Sequence, residues 1–457
     1  MTIAAALDDL GGLLGARFSR SASDRDLHGR SESHFPLTLP DAVAYPETTE
    51  EVAALMRICA AHRCPVTAWG TGTALEGHAL ALHGGVSVDF SRMNRVLAVN
   101  AADMDAQVQP GLTREALNTE LRATGLFFPV DPGANASLGG MAGTRASGTT
   151  AVRYGTMRDN VLGLQVVLAD GRIIRTGTRA RKTAAGYDLT GLMVGSEGTL
   201  GLITELTLRL RGQPEAVSAA VCAFDSISAA VDAVIETIQT GVPMARIEFL
   251  DAASVVAVNA YADAGLPVLP HLLVEFHGSE AGVAEQAETF GAIVAEYGAS
   301  GFRWSANATD RARLWKMRHT AYYAILASRP GARAIVTDVC VPLSQLAQAV
   351  TETQADLAES GIPAPILGHV GDGNFHAILL IDESIPAERA TALDLAHRMV
   401  DRALRLGGTI TGEHGVGMGK LPYMAAEHGE GWAVMGAIKA ALDPLGILNP
   451  GKIVPQS

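Results

Sequence analysis

Pro65-Val66-Thr67-Ala68-Trp69-Gly70-Thr71-Gly72-Thr73-Ala74-Leu75-Glu76-Gly77 is a short β-prone run that empties into a glycine loop. Such a junction aims successive backbone N–H groups into a concave nest that suits an anion, a pyrophosphate included. Two familiar phosphate loops do not fit. A dinucleotide G-x-G-x-x-G needs glycine where Leu75 stands, and a Walker A needs Ser or Thr where Leu421 follows Gly417-Met418-Gly419-Lys420. Upstream, Thr48 and Thr49 cap a helix expected to run to His62. Downstream, residues 86–90 and 106–109 read as strands and 113–124 as a helix. The stretch 129–160 is dense in Gly, Ala, Ser and Thr and reads as loop. Strands at 161–168 and 172–176 flank Asp170-Gly171, a hairpin turn pair, and 200–210 alternates as a strand.

Pro214, after the basic and glycine-containing stretch 209–213, marks a domain boundary. Beyond it, strands at 219–224, 246–250 and 272–277 alternate with amphipathic helices at 228–240, 252–264 and 280–297. A helix at 343–359 and strands at 364–369 and 375–381 extend the pattern. The last 46 residues are again rich in glycine and turns. The expected architecture is α+β, with a first domain at 1–213, a second at 214–411, and a segment at 412–457 that returns to the first.

Composition narrows the chemistry. The net charge is −13 and the isoelectric point near 5.5, which argues against nucleic acid or an anionic lipid surface as the main partner. Cys59, Cys64, Cys222 and Cys340 form no C-x-x-C pair and read as reduced, mostly buried thiols. Residues 1–15 lack a basic start and are broken by Asp8 and Asp9, so they read as neither a secretory signal nor a mitochondrial presequence. With no apolar run long enough to span a bilayer, the expected location is cytoplasmic, with a peripheral place at the inner face of the membrane left open.

Two clusters near the C-terminus point to chemistry. Gly368-His369-Val370-Gly371-Asp372-Gly373-Asn374-Phe375-His376 and Gly412-Glu413-His414-Gly415 supply imidazoles and a carboxylate, a common ligand set for Zn²⁺ or Mn²⁺. Asp372 and Asn374 read as turn residues first. Glu427-His428-Gly429 repeats the second cluster without a preceding glycine and reads as a solvated lookalike.

The glycine loop has company in Val130-Asp131-Pro132-Gly133-Ala134-Asn135-Ala136-Ser137-Leu138-Gly139-Gly140 and in Val194-Gly195-Ser196-Glu197-Gly198-Thr199-Leu200-Gly201. Together with Arg153-Tyr154-Gly155-Thr156-Met157-Arg158-Asp159-Asn160 and Thr337-Asp338-Val339-Cys340-Val341-Pro342, the set resembles the vanillyl-alcohol oxidase superfamily. Within it the chain is similar to the D-2-hydroxy-acid dehydrogenases of the D-lactate branch, from about Asp41 to Val454.

The resemblance implies a two-part FAD-binding domain with an inserted substrate, or cap, domain, and non-covalent FAD. It assigns to the cofactor Trp69, Gly70, Thr71, Gly72, Thr73, Leu75, Gly77, Asp131, Pro132, Ser137, Gly139, Gly140, Gly143, Thr144, Ser147, Gly148, Tyr154, Gly155, Glu197, Gly198, Gly201, Ile203 and Asn449. Covalent attachment through His78 is not expected in this branch. It makes His369, His376 and Glu413 ligands of Zn or Mn and His414 the base. Arg318 is the expected anchor for a substrate carboxylate, because a guanidinium fork matches it geometrically, with Tyr322 one turn on.

Relatives acting on 2-hydroxyglutarate resemble one another in a lysine two residues before the Asp338 position, where this chain has Val336. An apolar residue there disfavours a second carboxylate. The expected reaction is oxidation of D-lactate or another apolar D-2-hydroxy acid, with electrons passed to cytochrome c or a quinone. Glycolate or D-2-hydroxyglutarate oxidation is the alternative. A non-catalytic flavoprotein subunit and a flavin transferase akin to the ether-lipid alkyl synthases stand further off. A homodimer is left open.

Overall fold

The computed structural model describes residues 2–455; Met1, Gln456 and Ser457, at the ends of the first and last expected segments, lie outside the described residues. The chain divides into two units, one of residues 2–147, 155–213 and 413–455, the other of residues 148–154 and 214–412.

In the first unit β1 (Phe18–Ser19), β2 (Ala42–Ala44), β3 (Val66–Trp69) and β4 (Val86–Asp89) form a four-stranded sheet in the order β1-β2-β4-β3. β2 and β3 run parallel to β4. β2 and β3 therefore run in the same direction on either side of β4, and the helix Thr49–His62 is the crossover that joins them; Thr48 Oγ1 caps it by accepting from the Glu51 N–H at 3.2 Å. The apolar face of that helix, Val52, Leu55, Met56 and Cys59, is buried with Val66, Val86 and Val88. Each such side chain contributes roughly 1.5–3 kcal/mol. β3 is thus fixed along its length, and the glycine loop leaves from a rigid root.

β5 (Val96–Asn100), β6 (Asp105–Val108), β8 (Val161–Val167), β9 (Ile173–Gly177) and β10 (Leu202–Arg209) form an antiparallel sheet in the order β5-β6-β10-β8-β9, while β7 (Leu126–Phe127) pairs with β11 (Arg211–Gly212). The expected Asp170-Gly171 turn joins β8 to β9, with Gly171 at φ +80°. A second core centred on Phe128, Leu138, Met141, Leu164, Leu206 and Leu208 lies under this sheet.

The second unit has one antiparallel eight-stranded sheet. Its strands are β12 (Ala216–Ala223), β13 (Met244–Leu250), β14 (His271–Gly278), β15 (Ser300–Ser305), β16 (Arg333–Val336), β17 (Val339–Cys340), β18 (Ile366–His369) and β19 (Asn374–Ile381). The order is β15-β12-β14-β13-β18-β19-β16, with β17 pairing β19.

Several elements differ from the sequence reading. The stretch 129–160 holds three short helices, Leu138–Thr144, Ala151–Tyr154 and Met157–Asn160. Caps outweigh glycine there, since Ser137 caps the first and Thr156 forms a capping box with Asp159 at the third. The C-terminal segment carries the helix Glu430–Leu442. The expected helical run through Arg318 and Tyr322 breaks at Thr320 into Ala308–His319 and Ala321–Ala327. Thr320 Oγ1 donates to the Lys316 carbonyl at 2.9 Å, a back-bond that bends helices.

Candidate active site

In the first unit, bare backbone shapes the loops that the resemblance assigns to the cofactor. A Cβ on Gly70 would stand 2.3 Å from Ser137 Oγ, so the loop after β3 and the turn at Ser137 meet only because residue 70 has no side chain. Gly139 packs as tightly on Pro110, and Gly201 on Val166 of β8. Gly72, Gly77, Gly155 and Gly198 take positive φ, and Gly143 faces open space. Trp69 and Asp131 are buried, Leu75 and Pro132 half-buried, and Ile203 is buried on β10. Thr71 Oγ1 lies 3.2 Å from Thr73 Oγ1, and Thr144 Oγ1 turns back to the Gly140 carbonyl. Ser147 ends the first stretch of this unit; Gly148 and Tyr154 belong to the second unit.

Glu197 and Asn449 work inside the first unit. Glu197 adopts φ +52°, and its carboxylate accepts the N–H groups of Val416 at 2.7 Å and Gly417 at 2.8 Å, which fixes the turn after Glu413 and His414. Gly415 at φ +81° is required there, because a Cβ would lie 2.7 Å from both Glu197 Oε1 and His78 Nε2. Asn449 Nδ2 donates to the carbonyls of His78 and Glu197, and Lys452 Nζ donates to the Leu80 carbonyl at 2.8 Å. Burial pulls the Lys452 amine down to about 8.

In the second unit, β18 and β19 form a hairpin whose register sets His376 opposite Leu367, diagonal to His369 on one face. The two imidazoles stand edge-on with centroids 5.7 Å apart. His369 Nδ1 donates to Glu248 Oε1 at 2.6 Å, and His376 Nδ1 to the Thr337 carbonyl at 3.0 Å. Both rings therefore carry hydrogen on Nδ1, which leaves the Nε2 lone pair as the donor a metal takes. Asp338, wholly buried, accepts from Asn374 Nδ2 at 2.7 Å and from Thr411 Oγ1 at 2.6 Å. Asn374 is more than a turn residue, since a Cβ on Gly412 would stand 2.1 Å from its Nδ2. Asp372 is an exposed turn residue.

Arg318, largely buried at the end of its helix, places Nη2 2.6 Å from Glu248 Oε2. Tyr322 is half-buried and meets the exposed Tyr323 ring at 5.6 Å. Tyr154 places its hydroxyl 2.7 Å from His277 Nδ1, and His277 Nε2 lies 2.8 Å from Glu275 Oε1. Sequence reasoning missed Glu248. Its one signal was a carboxylate inside the apolar strand Ile247-Glu248-Phe249-Leu250, where an uncompensated charge would be destabilising.

Residues 213–453 match a family model described as FAD linked oxidases, C-terminal domain, and residues 40–177 match one described as FAD binding domain. The chain belongs to the FAD-linked oxidase family. A Danio rerio relative named "Probable D-lactate dehydrogenase, mitochondrial" is 51% identical, aligned over 94% of this chain and 87% of its own. An Arabidopsis thaliana relative named D-lactate dehydrogenase (cytochrome), mitochondrial, is 44% identical over 94% and 77%. Among solved structures, p-cresol methylhydroxylase with substrate bound superposes with a TM-score of 0.82 at 18% identity, covering 98% of this chain and 96% of that one, which shows the fold alone. The resemblance to the vanillyl-alcohol oxidase superfamily and the α+β fold are thus borne out, and this FAD-linked oxidase is an FAD-dependent oxidoreductase.

The expected cytoplasmic location is corrected. These relatives are named mitochondrial, so the cytoplasmic expectation does not stand. Composition and surface charge describe partners a fold tolerates, whereas compartment is a receptor-read address.

Proposed function

We propose that this chain oxidises D-lactate, or a related apolar D-2-hydroxy acid, to the 2-oxo acid with FAD and a divalent metal, and passes the electrons to cytochrome c or a quinone. One observation carries it. A guanidinium and an imidazole of the second unit share the buried Glu248 carboxylate, so a carboxylate anchor and a metal-ligand type stand side by side. The names of the relatives supply the substrate class.

The glycine-shaped loops of the first unit fit FAD, and the Nδ1-engaged pair His369 and His376 fits Zn²⁺ or Mn²⁺, with Glu413 as third ligand by resemblance. Bound FAD supplies a hydride acceptor, and a bound divalent cation lowers the pKa of the substrate hydroxyl. Arg318 holds the substrate carboxylate, Tyr322 lines the same site, and His414 takes the proton of the C2 hydroxyl. Asp338 and Asn374 keep the Gly412 turn in place. Val336, which ends β16 opposite Ile378, offers no partner charge to a second carboxylate.

Steady-state turnover with an artificial acceptor, across D-lactate, L-lactate, glycolate and D-2-hydroxyglutarate, tests the assignment. Highest kcat/KM on D-lactate supports it. Highest kcat/KM on D-2-hydroxyglutarate or glycolate moves the chain to that substrate, and no turnover on any of them revives the non-catalytic subunit.

A further inference from the structure

Glu248 is fully buried on β13, where Phe249 pairs with Gly368 and Leu250 with Leu367 of β18. That register brings its carboxylate beside His369. Its two oxygens face different partners, Oε1 the Nδ1 of His369 at 2.6 Å and Oε2 the Nη2 of Arg318 at 2.6 Å. The first is an aligned hydrogen bond and the second a close ion pair. A buried carboxylate with neither partner would be strongly destabilising, so the three side chains are locked together. Arg318 Nε is buried and bonds to no acceptor among the described residues, so the guanidinium keeps an edge for a ligand after Glu248 has taken its share.

We propose that Glu248 is a positioning residue that holds the substrate anchor Arg318 and the metal ligand His369 in one register, so that metal affinity and carboxylate affinity in the second unit are set by a single buried side chain. The proposal rests on the reading of those two residues given above. It differs from a purely structural ion pair in a definite way. Through His369 the Glu248 carboxylate fixes the tautomer and raises the basicity of the ligating nitrogen. Through Arg318 it fixes the direction of the guanidinium fork.

The test is Glu248→Gln in the FAD-loaded protein. An amide still accepts from His369 Nδ1 but carries no charge for either partner. Two dissociation constants are measured, that of Zn²⁺ by competition with a chromophoric chelator, and that of oxamate, which resists oxidation, through its perturbation of the flavin absorption band. Zn²⁺ is expected to bind about 10–100-fold more weakly, and oxamate about tenfold more weakly, as for loss of one charge-assisted contact. Arg318→Lys is the companion variant and is expected to weaken oxamate while leaving Zn²⁺ affinity as in the parent.

In the double variant the combined oxamate loss should be smaller than the sum of the two single losses, because both changes act on the same Arg318–Glu248 contact, one by removing its charge and the other its fork geometry. Glu248→Gln that lowers only the thermal midpoint, with both constants unchanged, overturns the proposal. So does Zn²⁺ weakening without any change in oxamate, or the reverse. A parent protein that binds FAD but neither Zn²⁺ nor oxamate brings down the reading of the site itself, a result recognisable before any variant is made.

Discussion

Among single residues, each imidazole and carboxylate of the second unit is defined by what it touches, His369 by Glu248 and His376 by the Thr337 carbonyl. His369 and His376 drew attention as two histidines at either end of a glycine-rich run; their shared face came from hairpin register, which a sequence does not print. Glu248 was illegible because its partners lie 70 and 121 residues away along the chain. We expect His369→Ala to lose bound metal and turnover while keeping FAD, checked by metal analysis beside the flavin spectrum. His414→Ala should keep FAD and metal and lose flavin reduction by at least about 100-fold, the usual share of a general base. Val336→Lys should raise kcat/KM for D-2-hydroxyglutarate and lower it for D-lactate, by about tenfold or more in their ratio, since a new ammonium partners a second carboxylate. A ratio that does not move would remove Val336 from the determinants of specificity.

At the scale of elements, the strand entering the glycine loop and the helix before it were read within a residue of their ends, because caps and periodicity are local signals. The helix Glu430–Leu442 was hidden by the glycines around it, and the break at Thr320 by a side chain whose effect depends on its backbone partner. The C-terminal strap is held by Lys452, whose amine is pulled from 10.5 to about 8 by burial. Because the folded value lies below the unfolded one, the unfolded chain binds more protons between about pH 8 and 10.5, and stability rises with pH across that window. Lys452→Met removes this dependence. The thermal midpoint of the parent should therefore gain on that of the variant as pH rises from about 8 to 10, and a difference that shrinks would show that Lys452 is not desolvated. At neutral pH the variant leaves the Leu80 and His78 carbonyls without this donor, destabilising by about 1–3 kcal/mol.

At the scale of the whole molecule, the acidic balance and the paucity of cysteines spoke to partners and chemistry but not to compartment, and there the relatives corrected the reading. Among the described residues no helix is long and apolar enough to cross a membrane. The family followed from motifs spread along the chain, and the site from side chains on several separate elements. The central claim is that D-lactate reduces bound flavin with the help of a metal, and anaerobic stopped-flow bleaching of the oxidised flavin band near ~450 nm tests it most directly. Rapid bleaching by D-lactate but not L-lactate, lost on chelation and restored by Mn²⁺ or Zn²⁺, is the predicted result. Bleaching that survives complete removal of metal, or a yellow protein that D-lactate leaves oxidised, would contradict it.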